Sequence, residues 1–174
     1  MRANVPSESC LRAGESRPRR PERLVIGYGN DLRSDDGAGV RVAARLAGPS
    51  TRVRVIVAHQ LTPELADDVA AATQVIFVDA YAARAEGAAL RIEKISGEAV
   101  DRASALAHRV NPARLVGLAG QLFGAAPEAW VVGIPAFCLD LGETLSSGTE
   151  LRVEEAVALI GKNEFRETQG GSPE

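Results

Sequence analysis

At 174 residues the chain has the length of one domain, by the rule of roughly 100–200 residues per domain, and it can bury a core without disulfides or a structural metal. The 20 basic residues against 23 acidic ones give a net charge of −3, which argues against nucleic acid as a partner; no apolar run reaches the roughly 18–20 residues of a membrane span. The beginning of the chain has no apolar stretch of a secretory signal, and Cys10 and Cys138 make no disulfide framework, so a cytoplasmic location is expected.

Residues 1–22, with Pro6, Pro18 and Pro21 among serines and arginines, read as a disordered arm. Residues 163–174 read as a disordered tail, leaving a single folded domain over 23–162. Arg23–Gly27 is a short apolar run ending at glycine, a buried strand. Gly37–Leu46 follows as a helix, with Val40, Ala43, Ala44 and Leu46 on one stripe and Ser34, Asp35 and Asp36 as its cap and acidic first turn. Thr51–Ala58 alternates Val53, Val55 and Val57 as a second strand. Thr62-Pro63 opens a helix to about Ala72, by a capping residue and proline at the first helical position. Gln74–Asp79 is an unbroken β-branched run, the expected central strand. Ala89–Ile95 alternates as a fourth strand, Asn111-Pro112 starts a helix to about Phe123, Ala129–Ile134 is a fifth strand, and Glu150–Ile160 is a closing amphipathic helix.

Strands alternating with helices predict an α/β fold, a mostly parallel sheet covered on both faces. Only residues 80–88 separate the third and fourth strands. A parallel crossover needs about 10–12 residues or more, so the fourth strand is expected to run antiparallel, at or near an edge.

In such sheets ligands bind beyond the carboxyl ends of the parallel strands. Those ends carry Gly29, Asn30, Asp35 and Asp36 after the first strand, His59, Gln60 and Glu64 after the second, and Asp79 at the end of the third. Gly27-Tyr28-Gly29 is not a dinucleotide fingerprint: Leu32 stands where the third glycine belongs, and two aspartates would repel a pyrophosphate. Asp35 and Asp36 read either as a cap with an acidic first turn or as one capping residue and one carboxylate aimed into the crevice. Asp79 at a buried strand end requires a partner, because desolvating a lone carboxylate is costly; it reads as a loop cap or as a site group. His59 and His108 are each ordinary as solvated loop histidines. With the carboxylates they compose a set for a divalent cation, zinc or nickel before magnesium, or for acid–base hydrolysis. No H-E-x-x-H, C-x-x-C or G-x-S-x-G occurs, and Cys138 reads as a small buried hydrophobe.

The run Gly27-x-Gly29-Asn30-x-Leu32-x-x-Asp35-Asp36-Gly37-x-Gly39-Val40 resembles the N-terminal signature of the [NiFe]-hydrogenase maturation endopeptidases. In order along the chain, Val78-Asp79-Ala80, His108 ahead of a helix and Val132-Gly133-Ile134 are similar to the family's later features. The segment His59-Gln60-Leu61-Thr62-Pro63-Glu64-Leu65 resembles the loop of a subgroup that matures bidirectional-type hydrogenases.

The resemblance covers residues 23–160 and implies a three-layer α/β/α sandwich with a five-stranded sheet. It implies removal of a C-terminal peptide from the hydrogenase large-subunit precursor after nickel insertion, by a protein acting as a monomer. It assigns Asp36 and Asp79 as catalytic residues, and Asp36, Asp79 and His108 as metal contacts. Asn30, Asp35, His59, Gln60 and Glu64 are the expected substrate-binding residues. The nickel is carried by the substrate, and zinc can occupy the site in vitro. Where many members have a Gly-Gly-Thr turn, this chain has Ala58-His59-Gln60, which brings a second imidazole toward the cleft. Two other readings stand beside this one: a metal-dependent hydrolase of a small amide, and a non-catalytic assembly factor that binds the precursor.

Overall fold

A computed structural model describes residues 23–48, 53–85, 87–98 and 110–165. The expected arm (1–22) and His108 lie outside the described residues, as does residue 166 onward of the expected tail. The strands are β1 (Arg23–Tyr28), β2 (Val53–Ala58), β3 (Gln74–Ala82), β4 (Arg91–Ile95) and β5 (Glu128–Ala136). The helices are α1 (Ala38–Leu46), α2 (Ala66–Ala71), α3 (Pro112–Phe123) and α4 (Ser147–Lys162), with 3-10 turns at Ser34–Gly37 and Pro63–Leu65.

The strands form one five-stranded sheet in the order β2-β1-β3-β5-β4. β1 pairs in parallel with β2 and β3, and β3 in parallel with β5. β4 pairs antiparallel with β5 at the edge, as the short link after β3 requires. β3 is central, as its uninterrupted apolar run predicts.

Alternation along the strands divides the core into two layers. Leu24, Ile26, Val75 and Phe77 face α2 and α3, where they meet Val69, Leu115 and Ala119. Val25, Ile76, Val78 and Val132 face α1 and α4, where they meet Val42, Val153 and Ile160. The fold is therefore a three-layer α/β/α sandwich. Phe77, Leu24 and Ile26 are fully buried; burying such a side chain contributes about 1.5–3 kcal/mol.

Three local expectations are corrected. The buried residues of α1 are Ala38, Gly39, Val42 and Ala43 rather than a stripe through Val40 and Ala44. The cause is Gly39: a Cβ there would lie 2.3 Å from the Val78 carbonyl oxygen, so backbone contact with β3 sets which way the helix faces. Neither the 3-10 turn nor α1 has a side-chain cap from Ser34, Asp35 or Asp36. The folded chain also continues past residue 162: Asn163 caps α4 in a left-handed conformation, and the Phe165 ring stacks on Trp130 at 5.4 Å. At α3 the expected cap forms, with Asn111 Oδ1 accepting from Arg114 N at 2.7 Å.

Candidate active site

A cleft of about 540 Å³ opens at the carboxyl ends of the parallel strands. Its place follows from topology. The chain leaves β1 through α1 on one face of the sheet, while α3 covers the other face. β1 and β3 are neighbours, and the connections diverge between them. That switch point is where open α/β sheets form a ligand crevice.

Tyr28 and Gly29 from the end of β1, Asp36 from the 3-10 turn and Asp79 from β3 line the cleft, with His59 and Gln60 following β2. Asn111 and Pro112 enter from the start of α3. Gly29 makes the approach of the 3-10 turn possible. Its φ is +141°, and a Cβ would lie 2.0 Å from the Asp36 carbonyl oxygen, so a side chain has no room and its backbone conformation favours glycine. Asn30 then shapes the turn, its Oδ1 accepting from Leu32 N at 3.0 Å.

Asp35 and Asp36, adjacent in sequence, go to different places. Asp36 is half-buried and faces the cleft. Asp35 is fully buried, and its carboxylate accepts four hydrogen bonds: from Phe137 N and Cys138 N at 2.8 Å each, from Ser146 N at 2.6 Å and from Ser146 Oγ at 2.7 Å. Burial alone would raise its pKa. The bonds from Ser146 and Cys138 outweigh burial and hold the carboxyl below its ordinary value. Ser146 in turn caps α4, accepting from Thr149 N, and Thr149 Oγ1 donates to Pro135 O at 2.9 Å. Asp35 thus ties the segment after β5 and the start of α4 to the turn after β1. The expectation that Asp35 contacts substrate is corrected, because its oxygens are turned inward and satisfied.

Asp79 is treated differently. It is half-buried, and it accepts from Ala80 N at 2.8 Å, with Tyr28 beside it in the cleft. Burial is the main cause of a raised pKa; the Tyr28 hydroxyl and the Ala80 amide offset only part of it, and the negative charge of Asp36 adds to the rise. Tyr28, between burial and the Asp79 charge, is held far above the ordinary phenol range, so it remains a proton donor. The sheet register explains the pairing. Gly27 is opposite Val78, so Tyr28 and Asp79 are the next residues on neighbouring strands and project on the same face.

The structure therefore brings together Asn30, Asp36, His59, Gln60 and Asp79, and leaves out Asp35. Glu64 is exposed in the 3-10 turn Pro63–Leu65 and stands outside the cleft lining. Tyr28 is a cleft residue that sequence reasoning missed. The available signal was its place one residue past the strand run, two before Asn30. Among the described residues, no three His, Cys, Asp or Glu side chains form a group able to hold a metal ion. Chemically, the cleft offers two neighbouring carboxylates of which one is reluctant to ionise, a phenol donor beside it and an imidazole at the mouth.

No family model and no curated protein matches the chain. Solved structures do. It is 27% identical to the [NiFe] hydrogenase maturation protease HycI from Thermococcus kodakarensis, with a TM-score of 0.61, covering 82% of this chain and 91% of that one. It is 25% identical to the hydrogenase 2 maturation peptidase from Thaumarchaeota archaeon SCGC_AB-539-E09, with a TM-score of 0.58, covering 82% and 97%. The hydrogenase maturating endopeptidase HybD from E. coli shares the fold at 24% identity and a TM-score of 0.57, covering 80% and 89%. The resemblance carried by the glycine–aspartate segment thus extends over the whole fold.

Proposed function

We propose that this chain, which resembles the [NiFe] hydrogenase maturation endopeptidases in motif and fold, is itself such a peptidase and removes a C-terminal peptide from a hydrogenase large-subunit precursor after nickel insertion. The observation that carries the reading is the meeting of Asp36 and Asp79 in one cleft at the switch point, both from the segments that carry the resemblance. Among the described residues no helix is long and apolar enough to cross a membrane.

Asp36 and Asp79 present carboxylate oxygens toward the nickel that the substrate carries, and the expectation that His108 adds an imidazole stands with them. Carboxylate and imidazole donors suit a borderline divalent ion, and zinc is expected to occupy the same groups in vitro. Asp79 is the better-placed general base for the attacking water, since a carboxyl with a raised pKa sits closer to working pH. The Ala80 amide holds one oxygen of that carboxylate, and the Tyr28 phenol stands beside it in the cleft. His59, exposed at the cleft mouth, and Gln60 contact the incoming chain.

Mixing the purified protein with nickel-loaded precursor and reading product mass tests this. The expected result is a single cleavage near the precursor's C-terminus, seen with nickel-loaded and not with nickel-free precursor. Binding without cleavage would instead identify an assembly factor, and turnover of a small amide without the precursor would identify the other hydrolase.

A further inference from the structure

Asn111 serves the fold with one half of its side chain. It stands ahead of α3 in extended backbone, with φ −94° and ψ 165°. Its Oδ1 accepts from Arg114 N at 2.7 Å, and its own carbonyl accepts from Leu115 N at 3.0 Å. A carboxamide carries an acceptor end and a donor end on one planar group. A backbone N–H can be met only by the oxygen, so the cap fixes which end is which. It leaves Nδ2, with its two N–H donors, turned away from Arg114 N. Among the described residues nothing accepts from Nδ2.

The same residue is exposed and lines the cleft. Asp36 reaches that space from the turn before α1, and Asp79 from β3. An ionised carboxylate only accepts hydrogen bonds. The groups that give the cleft its chemistry therefore cannot satisfy the backbone carbonyls of a peptide segment drawn in from water, and a carbonyl left unpaired there is costly. Donors have to come from elsewhere on the lining. The Tyr28 phenol stands beside Asp79, and His59 and Gln60 are on the exposed loop after β2. Asn111 differs from that loop pair: its side chain is already held by the hydrogen bond to α3, so it binds without first losing rotamer freedom.

We propose that Asn111 is a substrate-binding residue: its Nδ2 donates to a main-chain carbonyl of the peptide segment in the cleft and so sets where the scissile bond lies against Asp36 and Asp79. The inference rests on the peptidase reading. A cleft of about 540 Å³ is the size of a small-molecule pocket, so it takes a short chain segment, and one oriented donor is enough to fix the register of such a segment. Orientation of this kind is what places a reacting bond within reach of its base. Capping and substrate binding use opposite ends of one carboxamide, so neither role competes with the other.

The test separates this role from capping. Asp and Ser cap a helix about as well as Asn does, so Asn111→Asp and Asn111→Ser keep the start of α3 and lose the Nδ2 donors. With nickel-loaded precursor, kcat/KM should fall about tenfold or more in both variants, the effect of one carbonyl left unpaired, while the melting temperature stays at the parent value. The acid limb of the pH profile of Asn111→Ser should not move, because that substitution brings no charge to Asp79. Parent-like kcat/KM in either variant, while the parent cleaves normally, overturns the contact and leaves the peptidase reading standing. A loss of activity in step with a lowered melting temperature does the same and makes Asn111 a cap alone. A displaced acid limb in Asn111→Ser also overturns the contact, since the substitution would then act through the carboxylates. A parent that neither binds nor cleaves nickel-loaded precursor overturns both readings.

Discussion

Asp35 and Asp79 are both carboxylates drawn out of water at the carboxyl edge of one sheet, yet their surroundings oppose each other. Asp35 has four donors from Phe137, Cys138 and Ser146, and its pKa lies below the ordinary value. Asp79 has the Ala80 amide and the Tyr28 hydroxyl, faces the charge of Asp36, and has a raised pKa. A fully satisfied buried carboxylate locks structure in place. A buried carboxylate left short of partners beside a like charge holds a conflict that chemistry can use.

The largest expected effect is on activity. Asp79→Asn keeps the volume and can keep the Ala80 bond, but it removes the base, so cleavage should fall at least about a hundredfold, the lower range for general base catalysis. Thermal melting of the same variant should be equal to or above the parent, because the substitution relieves a desolvated charge next to Asp36. An active Asp79→Asn, or one that melts well below the parent, would make Asp79 a second structural clamp and erase the contrast.

Asp35→Ala should act in the opposite sense. It orphans the amides of Phe137, Cys138 and Ser146, each buried donor costing about 1–3 kcal/mol when unpaired. A loss of about 3 kcal/mol lowers Tm by roughly 6–12 °C for a domain of this size. Activity per folded molecule should fall far less than with Asp79→Asn, as single-turnover cleavage at low temperature can show.

The pH dependences should also diverge. Asp35 has a lowered folded pKa, so its stabilisation is present above its unfolded pKa of about 3.9 and is lost as pH falls through the folded value. Asp79 has a raised folded pKa, so its favourable contribution is present below about 3.9 and is lost as pH rises through the folded value. Urea denaturation from about pH 3 to 8 should show the deficit of Asp35→Asn shrinking toward acid pH. The advantage of Asp79→Asn should vanish there too, having been present at neutral pH.

The smallest effect is expected from Tyr28→Phe. Losing the hydroxyl removes a neighbour whose interaction lowers the Asp79 pKa, so the acid limb of the kcat profile should move to higher pH, with kcat down a few-fold. An unmoved limb would leave Tyr28 as a packing residue only.

Much of the fold was legible because its causes are local. The β-branched run of β3 names a central strand, residues 80–88 are too few for a parallel crossover, and Asn111-Pro112 carries its own cap. Legibility failed where the cause lay far along the chain. The apparent stripe through Val40 and Ala44 lost to contact between Gly39 and the Val78 carbonyl.

The sequence by itself determined the order of strands and helices, the antiparallel edge and the glycine–aspartate segment that marks the site, since periodicity, turn chemistry and spacing are properties of neighbouring residues. Which of two adjacent aspartates enters the cleft was decided only by tertiary structure. The partners that draw Asp35 inward lie 102 to 111 residues away. Only once β5 and α4 are packed do those donors surround one carboxylate, leaving Asp36 to face the cleft with Asp79.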